Sequence, residues 1–310
     1  MFFYSLSDYL KNTYGEKLYK LSLSGSTSCP NRDGTIGTGG CIFCSEGGSG
    51  DFASPAYLPV DKQIELAKER IKGKKHSNHY IAYFQSYTGT YGNLDELFTL
   101  YTETIKRPDI KILSIGTRPD CINDEVIKRL NELNKIKPVW IELGLQTSKE
   151  ETAKLINRGY ENETYKKAVK ALNSINVLVI THVIIGLPGE TEDDIKNTVQ
   201  YAVDAGTWGL KLQLLHVLEN TPLANMYKEK EFKTLKKDEY IDIICNLIPM
   251  IPEDIVIHRL TGDGPKNILI SPLWSGNKRD VMNKMNHEMA VRKIKQGSLL
   301  RGVADENNGI

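Results

Sequence analysis

Three of the five cysteines, Cys29, Cys41 and Cys44, fall within sixteen residues, while Cys121 and Cys245 stand alone. Thiolates clustered this way in a chain with no secretory signal point to a metal more than to a disulfide. Eleven residues separate the first pair and two the second, and the text between them holds Gly34, Gly37, Gly39 and Gly40. Such a loop can wrap closely around an object and turn its amides toward sulfur. Zinc would require a fourth ligand; the nearest histidines, His76 and His79, lie more than thirty residues on, which makes a Cys3His site irregular. An iron-sulfur cubane on three thiolates leaves one iron open to a substrate or cofactor. Three unligated cysteines in a loop are the remaining alternative.

Such a loop needs elements to hold it. Apolar, β-branched runs predict strands over Tyr19 to Ser26, His79 to Phe84, Ile110 to Gly116, Val139 to Leu145, Val177 to Ile185 and Leu210 to His216. Helical patterns lie between them: Asp61 to Lys72, with an imperfect apolar face; Leu94 to Ile105 behind a capping Asn93; Asp124 to Leu133; and a helix to about Val203 opened by the capping sequence Thr191-Glu192-Asp193-Asp194. Six βα units are too few for a closed eight-stranded barrel. The expected fold is therefore α/β, a partial (β/α)6 TIM-like barrel over residues 1–220, with a C-terminal α/β appendage over 221–310 that extends the substrate-binding surface. The appendage reads as a helix at Lys237 to Ile248, a strand at Ile255 to Leu260 and a basic helix near Asn277 to Gln296, with a frayed end at Asp305 to Ile310. The cysteine loop follows the first strand, at the end of the barrel where α/β sites gather.

Forty Lys and Arg against thirty-nine Asp and Glu give a net charge of +1, which excludes a global basic coat for non-specific binding of nucleic acid. The stretch from Arg259 to Arg301 nevertheless has nine basic and three acidic residues, a local +6, with Trp274 inside it and His258 just ahead. A basic stripe with a flat aromatic would suit a folded RNA, and a solvated helix face would look the same. No apolar run reaches the ~20 residues of a membrane span, and the expected compartment is the cytoplasm.

The cysteine segment, read as Cys29-Pro30-Asn31-Arg32-Asp33-Gly34-Thr35 through Cys41-Ile42-Phe43-Cys44 and followed by Gly47-Gly48-Ser49-Gly50, resembles the radical S-adenosylmethionine (SAM) superfamily. The long first interval resembles its YhcC/YtqA-like branch, whose radical domain is similar to that of the catalytic subunit of Elongator. The resemblance implies a 4Fe-4S cluster on Cys29, Cys41 and Cys44 and SAM at its open iron. It also implies cofactor contacts. Phe43 matches a position whose backbone meets adenine. Gln85 and Ser86 stand where a Gly-Gly-Glu motif often holds the methionyl amine. Glu142 and Gln146 end the fourth strand, Thr117 and Arg118 the third. His182 leads into Gly186-Leu187-Pro188-Gly189, which looks like the motif that shelves adenine, and His216 lies at the sixth strand. Cys121 is a spare thiol that could face the cavity, and Cys245 reads as core filler.

The chemistry implied is generation of a 5'-deoxyadenosyl radical, with electrons from a donor such as flavodoxin or ferredoxin. The branch looks like tRNA-modifying enzymes that act on the 5-substituent of the wobble uridine, similar to the MnmL type, which takes carboxymethylaminomethyl-uridine to aminomethyl-uridine. The alternatives are a radical SAM enzyme acting on a small metabolite or peptide, and a non-catalytic, metal-containing RNA-binding protein.

Overall fold

The computed structural model describes residues 2–300 apart from 26, 49, 51–52, 75–76 and 263. His76, Ser26, Ser49 and the end at Asp305 to Ile310 lie outside the described residues. Strands are β1 (Tyr19–Leu23), β2 (Tyr80–Phe84), β3 (Ile110–Thr117), β4 (Val139–Gln146), β5 (Leu178–Ile185), β6 (Gly209–Leu214), β7 (Val217–Leu218), β8 (Val256–Arg259) and β9 (Leu269–Ser271). Helices are α1 (Leu6–Tyr14), α2 (Val60–Ile71), α3 (Leu94–Lys106), α4 (Asp124–Ile136), α5 (Glu150–Leu155), α6 (Asn162–Asn173), α7 (Glu192–Asp204), α8 (Pro222–Lys228), α9 (Lys237–Leu247) and α10 (Lys278–Val291).

One parallel sheet runs β1-β2-β3-β4-β5-β6-β8 and curls into a partial barrel. It has seven strands rather than the six read as barrel strands, because the strand expected in the C-terminal region pairs with β6, Gly209 opposite Val256 and Lys211 opposite Arg259. β7 and β9 form a separate antiparallel ribbon. Leu214 is therefore the last residue of β6, and His216 falls between two sheets instead of continuing the strand.

The helices form where the sequence signals them. Asn93 accepts from the backbone of Asp95 and Glu96 to open α3, whose Leu97, Phe98, Tyr101 and Ile105 face the sheet at helical spacing. Thr191 and Asp194 close a reciprocal capping box on α7. The imperfect apolar face of α2 has a cause: Gln63 is buried there and binds both backbone groups of Ser24, at 2.8 and 3.1 Å, just where the chain leaves β1 for the cysteine loop.

Alternate strand residues point outward to the helices and inward to the lumen. In β4, Ile141, Leu143 and Leu145 join the main core, while Trp140 and Glu142 face in. The closed end of the lumen is an apolar plug of Ile81, Ile112, Trp140 and Ile180, sealed from below by Leu10 of α1, a helix that sequence periodicity did not reveal. Residues at the start of the chain also cover β8: Ile257 N–H donates to Tyr4 O at 2.8 Å, and Gln296 Oε1 accepts from Tyr4 N at 2.8 Å.

The basic C-terminal stretch is not a bare cationic face. Lys284 pairs with Asp238, Arg292 with Asp242 and Lys295 with Glu253, so three acids from outside the stretch offset part of its charge. Trp274 donates its indole N–H to Leu235 O at 3.0 Å and packs on Tyr240, and His258 is enclosed beside Trp140 and Trp208 at the plug. The enclosed His258 ring offers no stacking platform, and Trp274 is half-buried. Among the described residues no helix is long and apolar enough to cross a membrane.

The plug gives a direct test of the fold. Leu10→Ala empties a fully enclosed site and should lower unfolding free energy by about 3 kcal/mol, read as a reduced urea midpoint at unchanged slope.

Candidate functional site

The loop after β1 has almost no regular structure, and its neighbours hold its backbone. Arg32 N and Asp33 N donate to Cys29 O at 2.8 and 3.2 Å, and Cys44 N donates to Cys41 O at 3.0 Å. Arg32 spreads its guanidinium over the carbonyls of Cys44, Ser45 and Glu46 at 3.2, 2.6 and 3.3 Å. Gly40 lets that side chain pass: its φ is 80°, and a Cβ there would lie 2.7 Å from Arg32 Nε. Two asparagines tie the loop to the segment after α5. Asn31 Nδ2 donates to Asn157 O at 2.5 Å, and Asn157 Nδ2 returns to Gly40 O at 2.8 Å.

Cys29, Cys41 and Cys44 line one pocket at the C-terminal ends of the strands. Cys44 donates a hydrogen bond to the Cys41 sulfur, which, with Arg118, Asn31 and Arg32, outweighs burial and brings the Cys41 thiol down to about 7. Cys44 is pushed up as the donor of that pair.

Of the residues expected near a cofactor, Phe43, Gln85, Thr117, Glu142, Gln146 and His182 line this same pocket, as does Arg118. Ser86, Gly186 and His216 are not among its lining residues. Ser86 is buried behind the wall, its hydroxyl 2.7 Å from Ser24 Oγ. Gly186, with φ 93°, turns the chain against Leu235, and His216 pairs with Ser275 Oγ at 3.1 Å beside Gly262 and Gly264. Cys121 also stands off the lining, and burial raises its thiol to about 12. Cys245 is buried in the main core.

Gln146 owes its orientation to backbone strain. It adopts φ 62° where the β4–β5 register slips, a bulge that re-aims the side chain at the strand end. Gly144 leaves room for the Gln146 amide to fold back over the strand, since a Cβ there would sit 2.2 Å from Gln146 Nε2. Tyr160 secures it by donating to Gly144 O at 2.5 Å, with Gln146 Oε1 3.1 Å away. Beneath it the fully buried Arg158 donates to Leu145 O, Thr147 O and Tyr160 O and stacks 4.5 Å over the Tyr160 ring. Arg118 donates to Arg158 O at 3.0 Å and chelates Asp120. Sequence reading missed Arg32, Tyr160 and Arg158. The text Asn157-Arg158-Gly159-Tyr160 lies in a loop between helices, where no period marks it.

Below the strand ends, the lumen carries a polar layer with one side chain from each of six strands. Glu142 is wholly enclosed and accepts from Lys20 at 2.5 Å, Ser114 at 2.9 Å, His182 Nε2 at 2.9 Å and Lys211. Tyr83 lies between the two lysines, Lys20 Nζ 4.6 Å and Lys211 Nζ 4.7 Å from its ring centroid. Burial alone would raise the Glu142 carboxyl, but Lys20, Lys211 and His182 hold it well below the carboxylate range. Burial, reinforced by Lys20 and Arg259 and opposed by Glu142, lowers Lys211 to about 7. Burial and Lys211 lower His182 to about 4, so at neutral pH its Nε2–H donates to Glu142 as a neutral imidazole.

The thiol loop and strand-end pocket of this partial barrel agree with the chain's sequence family, for the chain belongs to the radical SAM superfamily. The pattern of that superfamily matches residues 29–202, and that of the Radical_SAM C-terminal domain matches residues 207–291. Along nearly its whole length the chain is similar to the uncharacterized protein YtqA of Bacillus subtilis, 38% identical over 305 residues, 98% of this chain and 95% of that one. It is also similar to the tRNA uridine(34) acetyltransferase of Methanocaldococcus infernus, 27% identical over 183 residues, 58% of this chain and only 34% of that protein. The fold matches the archaeal Elp3 of the same organism with residues 1–46 deleted: the TM-score is 0.65 at 17% identity, covering 90% of this chain and 65% of that one.

Glu190, at the mouth of α7, supplies a pH test. It accepts from Thr147, its second oxygen is buried without a partner among the described residues, and burial raises its carboxyl from an ordinary 4.5 to about 7. The folded state then holds a proton that the unfolded state has released, so the stability of the fold falls as pH rises from about 4.5 through about 7. Glu190→Gln should remove that slope. The difference between the two proteins should grow over this interval to on the order of 3 kcal/mol, measured by urea unfolding at each pH.

Proposed function

We propose that Cys29, Cys41 and Cys44 hold a 4Fe-4S cluster that binds SAM, and that the protein is a tRNA-modifying radical enzyme acting on the 5-substituent of the wobble uridine. The gathering of three thiols on one strand-end pocket is the observation that carries the cluster. Among the described residues no three Cys, His, Asp or Glu side chains converge as one metal ion requires. A cubane asks for less convergence, because each thiolate binds a different iron. The bound cofactors would supply one-electron cleavage of the sulfonium to methionine and a 5'-deoxyadenosyl radical. The protein's part is placement: Arg32 and Asn31 fix the loop, the bulged Gln146 and Thr117 offer polar contacts at the strand ends, and the plug excludes water from below.

The tRNA reading draws on the relative named for tRNA uridine(34), and its specific form, the one the sequence resemblance implies, is conversion of carboxymethylaminomethyl-uridine to aminomethyl-uridine, with flavodoxin or ferredoxin as electron donor. Partial pairing of the C-terminal stretch, where Asp238, Asp242 and Glu253 answer three of its nine basic residues, weakens a basic RNA-binding stripe and favours a second reading, a small metabolite or peptide as substrate. Anaerobic reconstitution with iron, sulfide, SAM and a reductant separates them. Production of 5'-deoxyadenosine should rise on addition of tRNA from a strain lacking the protein, whereas production indifferent to tRNA would turn the assignment to a small molecule. Nucleoside mass spectrometry of that strain's tRNA should show the carboxymethylaminomethyl form accumulating. Cys41→Ala should lose the visible absorption of the reconstituted cluster and most of its iron; full retention of iron and sulfide would remove Cys41 from the ligand set.

A further inference from the structure

The side chain of Asn31 serves two acceptors from one nitrogen. Nδ2 donates to Asn157 O at 2.5 Å and reaches Cys41 Sγ at 3.9 Å, a length that suits the larger sulfur atom. A carboxamide nitrogen carries two hydrogens, so both contacts are made at once. Asn157 O is an acceptor only, which puts the nitrogen of the carboxamide, and not its oxygen, on this side. Two glycines close around the oxygen. A Cβ on Gly37 would lie 2.6 Å from Asn31 Oδ1, and one on Gly159 3.3 Å from it. The main chain is held as well, for Gly40 N donates to Asn31 O at 2.8 Å, and the whole residue is only 1% exposed. The amide is therefore locked toward the sulfur. Among the described residues no other side-chain amide is bonded to a cysteine sulfur.

Holding the loop does not by itself call for this arrangement. The tie to Asn157 O uses one hydrogen, and the bond from Asn157 Nδ2 to Gly40 O already spans the same gap. A hydroxyl could make the first bond, but it has no second hydrogen for sulfur. Hydrogen bonds to the sulfurs are among the levers that set the reduction potential of an iron-sulfur cluster. An added electron places more negative charge on those sulfurs, so a donor stabilises the reduced state more than the oxidised one.

We propose that Asn31 is a positioning residue with a redox role: its second amide hydrogen bonds the sulfur of Cys41 as a cluster ligand and raises the reduction potential, bringing the cluster within reach of a one-electron donor. The orientation of the amide rests on the loop geometry alone. The redox role rests on the cluster assignment proposed above.

The test uses the full chain reconstituted anaerobically with iron and sulfide, in the absence of SAM, and follows reduction by an EPR-monitored titration. At a fixed solution potential Asn31→Ala should be about tenfold less reduced than wild type, a negative shift of about 59 mV for a one-electron couple. Asn157→Gly is the control. Glycine accepts the φ of 53° at this position and keeps the carbonyl that Asn31 binds, while the tie to Gly40 O is lost. This variant should release iron to a chelator faster than wild type, with its ratio of reduced to oxidised cluster within twofold of wild type at the same potential. A second readout needs no change at position 31. In protein made with nitrogen-15 asparagine, pulsed EPR of the reduced wild-type cluster should show a nitrogen-15 coupling that persists in Asn157→Gly and vanishes in Asn31→Ala. If Asn31→Ala holds no cluster, the labelled wild type and Asn157→Gly decide. Equal potentials in wild type and Asn31→Ala, or a reduced wild-type cluster without that coupling, overturn the role of Asn31 and leave the cluster assignment standing. The same negative shift in both variants makes Asn31 a loop tie and overturns the redox role as well. A wild-type protein that takes up no cluster overturns the cluster assignment, and this inference falls with it.

Discussion

An irregular loop can keep three thiols in one place only if its backbone polar groups find partners outside itself, because unpaired buried amides and carbonyls would otherwise melt it into solvent. Here the partners come from side chains. Arg32 gathers three carbonyls of the loop, Asn31 and Asn157 exchange hydrogen bonds across it, and Ile42 N–H reaches Ile156 O at 3.1 Å. The residues after α5 are in turn fixed by Arg158, whose buried guanidinium is satisfied by main-chain carbonyls. Loop, β4 end and the Arg118 rim thus form one bonded unit, and the geometry of the thiols follows from it.

The lumen is organised by depth. At the bottom an apolar plug excludes water; above it comes the layer centred on Glu142; above that stand the strand-end residues and the cysteines. Each level changes what a charge costs. The plug makes the middle layer's charges strong, which is why Lys211 falls to about 7 while Glu142 stays ionised, and why His182 serves as a neutral donor.

Much of this was legible in the sequence. Strand positions follow from β-branched runs, α3 and α7 from their caps, and the three cysteines from their spacing among glycines. What escaped has physical reasons. The strand expected at Ile255 to Leu260 stands as β8, but only its pairing with β6, across a long connection, makes it part of the barrel. His216 follows a strand signal that ends at Leu214 because the chain there turns to pair with β9. Charge counted along the C-terminal stretch missed acids at 238, 242 and 253, which lie close in space and not in sequence. Arg158 and Tyr160 act through backbone contacts that no motif announces.

A barrel that stops at seven strands keeps two edges that a closed one would not have, and an exposed edge is a template for any passing strand. On the β8 side that template is occupied. Tyr4 and Ser5 lie along it, and Gln296 binds Tyr4 N while also reaching Pro252 O and Ile255 O. The two ends of the described chain therefore act together as a guard against self-association, and the openness that lets a ligand into the lumen need not make the protein adhesive.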